Sequence, residues 1–190
     1  MLILASSSPY RRHLLERLRV PFTVASPEID ETALAAETPR DTALRLAEQK
    51  ARAVCAGLTE AVVIGSDQVA VLDGKPIGKP GTHEAALAQL RAMRGRAVVF
   101  HSALCVLEAS NGRCQVDEVP TTVLCRDYSD AEAARYLELD RPYDCAGSAK
   151  IEALGIALVR EVVSRDPTAL IGLPLIALVT MLRRAGIAVL

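Results

Sequence analysis

Aromatic side chains are scarce in this chain, with no tryptophan, two phenylalanines and four tyrosines among 190 residues. That excludes the serial stacking platforms on which single-stranded nucleic acids lie. Net charge is nearly absent too, since 22 basic against 23 acidic residues leave a formal charge of −1. Bulk electrostatic binding of nucleic acid is therefore excluded, and any cationic site must be local. Long hydrophobic runs are missing: the longest, 169–182, contains Gly172 and Pro174 and is too short to span a bilayer. The opening MLILASSS has neither the basic flank nor the apolar length of a signal peptide. The five cysteines, Cys55, Cys105, Cys114, Cys125 and Cys145, are odd in number and form no C-x-x-C. A disulfide framework or zinc site is not expected, and the expectation is a soluble protein of a reducing cytoplasm with no membrane partner.

Familiar nucleotide and hydrolase signatures are also lacking. No G-x-x-x-x-G-K-[ST], G-x-G-x-x-G or G-x-S-x-G occurs, so P-loop, dinucleotide-fold and nucleophile-elbow machinery are not expected. His13, His83 and His101 show no ligand spacing.

Hydrophobic residues, at 51%, suffice for a substantial core in a single domain over 1–190. MLIL reads as a short buried strand feeding a helix with Ser8 as N-cap and Pro9 at its first position. VPFTVASPEIDE reads as a second strand ending in the acidic loop of Glu28, Asp30 and Glu31, and 41–58 as an amphipathic helix with Arg45 and Lys50 off its apolar stripe. AVVIGSDQVAVLDG reads as two strands closed by a turn at Asp73-Gly74, with GKPIGKPG as a loop. A helix over 82–94 follows, then a hairpin around SNGR and a helix opened by the capping box of Ser129 and Glu132. A strand near 156–163 and a last helix over 173–185 complete the chain. Helices and strands alternate, but hairpins interrupt them, so the class is α/β with a mixed sheet.

Four places carry candidate chemistry. Arg11 and Arg12 sit in the first turn of the first helix, the positive end of its dipole, where each costs ~0.3–1 kcal/mol unless an anion is bound. A polyphosphate cradled by the Ser-rich turn reverses that sign; the alternative is that the arginines bend into solvent or pair with Glu16. Asp67, in Ser66-Asp67-Gln68 after a buried strand, is placed to hold a metal or activate water, or else caps a turn. Lys79, in Gly-Lys-Pro-Gly, is held in a rigid loop that can present it to phosphate, or is an ordinary loop cation. The Glu28, Asp30 and Glu31 cluster suits a divalent metal bridging to phosphate, or a solvated loop. Lys150 and Glu152 are site residues or a surface pair.

Taken together, LASSSPYRRHLL, SPEIDE, RLAEQKA, IGSDQV, GKPG, CAGSAKIEALGI and DPTALIGLPL, in that order along the whole chain, resemble the Maf-type nucleoside triphosphate pyrophosphatases, and within them the branch acting on 7-methyl-GTP. The resemblance implies a mixed, strongly twisted sheet flanked by helices, in two lobes around a cleft. It implies hydrolysis of a nucleoside triphosphate to monophosphate and pyrophosphate with a divalent cation, Mg or Mn, and a homodimer. By resemblance, Asp67 aligns with the proton acceptor, and Ser6, Arg11, Arg12, Lys50 and Lys79 with polar and cationic positions of the cleft. Independently of the resemblance, the residue types themselves nominate Asp67 and Glu31 as candidate metal ligands. Tyr10, Gln68 and Glu152 match positions that separate branches by substrate.

The branch has a chemical rationale. N7-methylation makes guanine cationic, so stacking on Tyr10 gains a cation–π attraction of very roughly 0.5–2 kcal/mol. Glu152 suits the N1–H and 2-amino edge of guanine and suits uracil or thymine poorly. Ala149, where the family usually has Phe, and His101-Ser102-Ala103, in place of a Thr-Gly pair, depart from the pattern. The alternatives are the same chemistry on dTTP, UTP or another modified nucleotide, or a non-catalytic nucleotide-binding regulator of cell division. An Asp amid Lys and Arg is expected to have a lowered pKa, which leaves open whether Asp67 takes a proton or chiefly holds metal.

Overall fold

A computed structural model describes all residues, 1–190. It is α/β, with five helices and one seven-stranded mixed sheet of order β2-β1-β3-β5-β6-β7, β4 pairing with β3 off that path. The strands are β1 (Leu2–Ala5), β2 (Thr23–Ala25), β3 (Val62–Leu72), β4 (Lys75–Ile77), β5 (Ala97–Glu108), β6 (Cys114–Cys125) and β7 (Val159–Ser164). The helices are α1 (Pro9–Glu16), α2 (Pro39–Cys55), α3 (His83–Met93), α4 (Asp130–Asp140) and α5 (Leu175–Arg184). No helix is long and apolar enough to cross a membrane.

The chain divides into two compact units, and β3, β5 and β6 each contribute one end to each. The first comprises Met1–Gln68, Ser102–Val119 and Asp166–Leu190. Here β1 runs parallel to both β2 and β3, with Ala5 opposite Ala25 and Gly65. Leu4, Leu15, Ile64, Leu104, Leu173 and Leu178 are fully buried and form its core; each such side chain contributes about 1.5–3 kcal/mol on burial. Because β1 is doubly covered, all four of its residues are buried, which is why MLIL lacks the alternation of a half-exposed strand. Ser8 caps α1, accepting from the Arg11 amide, and Leu14 and Leu15 turn inward.

The second unit comprises Val69–His101 and Pro120–Arg165. In it β3 pairs antiparallel with β4, and β6 with β7. Helices α3 and α4 pack together, with the Tyr128 hydroxyl donating to the Leu90 carbonyl at 2.7 Å. Ser129 and Glu132 form the expected capping box, and Asp130 at the start of α4 holds both Arg91 and Arg94.

Several boundaries differ from the sequence reading. Helix α2 begins two residues earlier than 41, because Thr38 is its cap and Pro39 its first residue, while Asp41 donates its amide to the Thr38 hydroxyl. The stretch after Ala61 is one continuous strand rather than two, and Lys75–Ile77 is a strand rather than a loop. Pro76 is tolerated there because this short strand pairs only with β3. Residues 154–158 are a 3-10 segment, so β7 starts at Val159. Helix α5 starts at Leu175, after Pro174, which disfavours helical conformation at Leu173.

Candidate active site

The site in the first unit is built where β1 and β2 end and β3 continues past them, the carboxyl edge at which α/β sheets place ligands. Alternation along β3 sends Gly65 and Asp67 to one face and Ser66 and Gln68 to the other. Toward the first face comes α2. A Cβ on Gly65 would lie 2.0 Å from the Ala47 carbonyl oxygen and 2.8 Å from the Ala51 nitrogen, so glycine is what permits the helix to approach the strand. One turn on from Ala47 is Lys50, which this contact carries over Asp67.

Lys50 Nζ donates to Asp67 Oδ1 at 2.6 Å and lies 3.0 Å from Glu31 Oε1. The Lys50 and Asp67 side chains are only 6% and 9% exposed, whereas Glu31 is 57% exposed. Burial is the largest influence on Asp67 and raises its pKa, aided slightly by Glu31; the charges of Lys50 and Arg11 and the Lys50 hydrogen bond only partly oppose it. The expected depression of Asp67 by surrounding cations is thus reversed. A desolvated carboxylate holds a proton more tightly than the cations discourage it. The same burial pulls the Arg11 guanidinium below its ordinary value, with Asp67 and Glu31 acting against the shift. Arg11 therefore shares the electrostatic field of the two carboxylates.

The two first-turn arginines part company. Arg12 follows the plain alternative and pairs with Glu16 one turn on, 3.0 Å apart and largely exposed. Arg11 turns inward and its Nε donates to the Gly172 carbonyl at 2.9 Å. That carbonyl also accepts from Ser66 Oγ at 2.9 Å. Gly172 has φ of +120°, a conformation reserved for glycine, and ends the short 3-10 turn 169–171.

On the opposite face of β3, Gln68 Nε2 lies within 2.8–3.1 Å of Ser102 Oγ and the Ala169 and Leu170 carbonyls. Its amide hydrogens are thereby committed to the same turn. Asp166 and Thr168 brace that turn from below: Asp166 accepts from the Thr168 and Ile176 amides, and Thr168 Oγ1 from the Leu175 amide. Sequence reasoning missed Gly172, Asp166 and Thr168 as positioning residues. The signal available was their place in DPTALIGLPL, where turn formers interrupt an apolar run.

Ser6 is buried at the end of β1, and its Oγ accepts from the Ser8 amide at 3.2 Å, shaping the turn into α1. Tyr10 is half-buried at the second position of α1. Lys79 and Glu152 belong to the second unit, where both are exposed, on the loop after β4 and on the turn before the 3-10 segment. Thus Ser6, Tyr10, Arg11, Arg12, Glu31, Lys50, Asp67 and Gln68 all lie in one unit, and a direct network joins Glu31, Lys50 and Asp67.

No group of three or more His, Cys, Asp or Glu side chains is arranged to hold a metal. Asp67 and Glu31, drawn together on Lys50, still offer the hard oxygen donors that Mg or Mn accepts, and such ions commonly take one or two carboxylates and complete their shell with phosphate and water. The donor chemistry fits a divalent ion that arrives with a polyphosphate.

The model of the Maf-like protein family matches residues 1–185. The 7-methyl-GTP pyrophosphatase of Cupriavidus metallidurans is 63% identical over 185 residues, covering 97% of this chain and 93% of that protein. The protein of the same name from Paraburkholderia xenovorans is 64% identical over 188 residues, covering 97% and 92%. Among solved structures, the Staphylococcus aureus Ham1 protein overlaps at a TM-score of 0.48 with 17% identity, over 66% of this chain and 72% of that one, too loosely to define the fold.

Proposed function

The chain belongs to the Maf family, and from that premise we propose that it hydrolyses 7-methyl-GTP to the monophosphate and pyrophosphate in the cytoplasm, removing a modified nucleotide from the pool. The observation that carries the mechanism is the buried Lys50–Asp67 pair. A base raised in pKa by burial takes a proton better than an exposed aspartate, while Lys50 beside it keeps the ionised form populated. Asp67 accordingly receives the proton of the water that attacks phosphorus, and pyrophosphate departs. Arg11, anchored on the Gly172 carbonyl, faces the charge that develops on the phosphoryl oxygens, the largest expected source of rate enhancement. A divalent ion, when held by Asp67 and Glu31, supplies charge neutralisation and a more acidic water.

Ser6 sets the turn under the phosphates, and Arg12 and Lys79 add cationic charge at the substrate's edge. Tyr10 stacks on the methylated base and Glu152 reads its hydrogen-bonding edge. Gln68 influences base choice through the turn 169–172 that it holds, because its amide hydrogens are occupied there.

Pyrophosphate release measured across 7-methyl-GTP, GTP, UTP and dTTP with Mg²⁺ or Mn²⁺ tests the assignment. We expect 7-methyl-GTP to be preferred at least tenfold in kcat/KM. Asp67→Asn should lose about 10²–10⁴-fold in kcat with a normal far-UV spectrum. Near-normal turnover by Asp67→Asn sinks the base assignment, preference for UTP or dTTP moves the substrate, and nucleotide binding without turnover favours a non-catalytic regulator.

A further inference from the structure

Glu31 reaches the buried Lys50 from an unusual platform. Between the end of β2 at Ala25 and the start of α2 at Pro39, residues 26–38 form no strand or helix, and Glu31 itself is 57% exposed. A carboxylate on such a segment has many positions open to it, yet it lies 3.0 Å from Lys50 Nζ. Something outside the ladder of the sheet must set the path of this segment.

Arg45 on α2 does so. Its guanidinium makes a two-pronged bond to Glu37, with Nε 2.7 Å from Oε1 and Nη2 2.8 Å from Oε2. The same Nη2 donates to the Thr32 carbonyl at 3.1 Å, one residue beyond Glu31, and Nη1 to Gln49 Oε1 at 3.0 Å. Glu37 in turn accepts from the Leu34 amide at 3.1 Å and the Thr42 hydroxyl at 2.9 Å. The Arg45 and Glu37 side chains are 18% and 11% exposed, so this pair is better shielded than an ordinary surface ion pair. One side chain thus grips the segment at two points, Thr32 and Glu37, from the helix that also supplies Lys50. We infer that Arg45 and Glu37 form a strap that positions Glu31, and through it the Glu31–Lys50–Asp67 network, for the reaction. They are positioning residues and touch no reacting atom. The Arg45 hydrogen bonds, first among several causes, hold the Glu37 carboxyl down at about 2, so the strap stays ionised in mildly acidic solution.

The inference rests on the reading of Glu31 and Asp67 given above, and its test separates the two. Hydrogen–deuterium exchange of residues 28–37 and kcat/KM on 7-methyl-GTP are measured for wild type, Arg45→Gln, Glu31→Gln and the double variant. Arg45→Gln should speed exchange in 28–37 at least tenfold, leave α4 and β1 unchanged, and lower kcat/KM about 10–100-fold. Because the effect runs through Glu31, the double variant should lose no more than about twofold beyond the worse single one. Arg45→Lys keeps a charge but cannot grip two points, and should recover only a small part. Losses that multiply in the double variant, or unchanged exchange, overturn the strap. Should Arg45→Gln not fold, Glu37→Gln releases the strap from the loop side and must give the same pattern; if neither folds, the pair is a folding element and the inference is wrong. A wild-type protein without turnover overturns the proposed activity, and the exchange measurement alone then decides the strap.

Discussion

Replacing Lys50 with Met is the sharpest perturbation that the site offers. It removes the ammonium 2.6 Å from Asp67 Oδ1 while keeping much of the aliphatic stem that α2 buries. Glu31, on the other side of Lys50, is largely exposed and loses under about 1 kcal/mol. Asp67 has no such escape at 9% exposure, and removing one partner of a buried pair costs about 3–5 kcal/mol. Lys50 is also the foremost influence holding the Asp67 pKa down against burial, so the variant raises that pKa further. Above the new value the folded state holds an ionised buried carboxylate on which Arg11 is the remaining cation; below it a proton removes the penalty. The folded state then binds more protons than the unfolded state, so stability falls as pH rises, by up to about 1.4 kcal/mol per unit. With about 2–4 °C per kcal/mol for a chain of this size, Tm should fall about 6–20 °C at pH 8 and distinctly less at pH 5, relative to wild type. The chain has no tryptophan, so far-UV circular dichroism is the suitable monitor. The acid limb of any residual kcat/KM profile should move to higher pH. A Tm loss below about 2 °C at pH 8, or a loss that grows toward acid, would refute the reasoning.

Two glycines give further expectations. Gly65→Ala puts a Cβ 2.0 Å from the Ala47 carbonyl, a clash with helix backbone; it should fail to accumulate as folded protein or lose more than about 4 kcal/mol in denaturant titration. Gly172→Ala has room, its Cβ lying 3.5 Å from Arg11 Nε, but must hold φ at +120°. It should cost about 1–3 kcal/mol and lower kcat/KM together with Arg11→Ala, without multiplying that loss. An unchanged melting curve would show that the turn relaxes freely.

Legibility in the sequence followed the range of the interaction. Ser8 and Ser129 are readable as caps because each accepts from an amide three residues away. The start of α2 is set by Thr38 and Pro39, which lie ahead of the apolar stripe that marks the helix in the sequence. The continuity of β3 is hidden in the sequence because Ser66, Asp67 and Gln68 interrupt its apolar run with three polar residues. Their hydroxyl and amide groups are in fact satisfied by carbonyls more than thirty residues away, including Ala103 and Gly172. Spacing alone nominated both arginines and could not divide them: Glu16 is four residues from Arg12, whereas the partner of Arg11 is 161 residues distant.

The reversal at Asp67 has the same origin and a further consequence. Counting charges around the residue predicts a depressed pKa, because Lys50 and Arg11 are both cations. Desolvation outweighs them, and the close approach of α2 to β3 contributes to it. That approach exists because position 65, two residues earlier on the same face, carries no Cβ. A single packing event therefore delivers the cation that keeps Asp67 ionisable and excludes the water that would weaken it as a base. The two effects cannot be separated by moving the helix: a larger residue at 65 would push Lys50 away and admit water together. Base strength and the position of its counter-ion are in this sense coupled through one packing contact, the one that Gly65 permits.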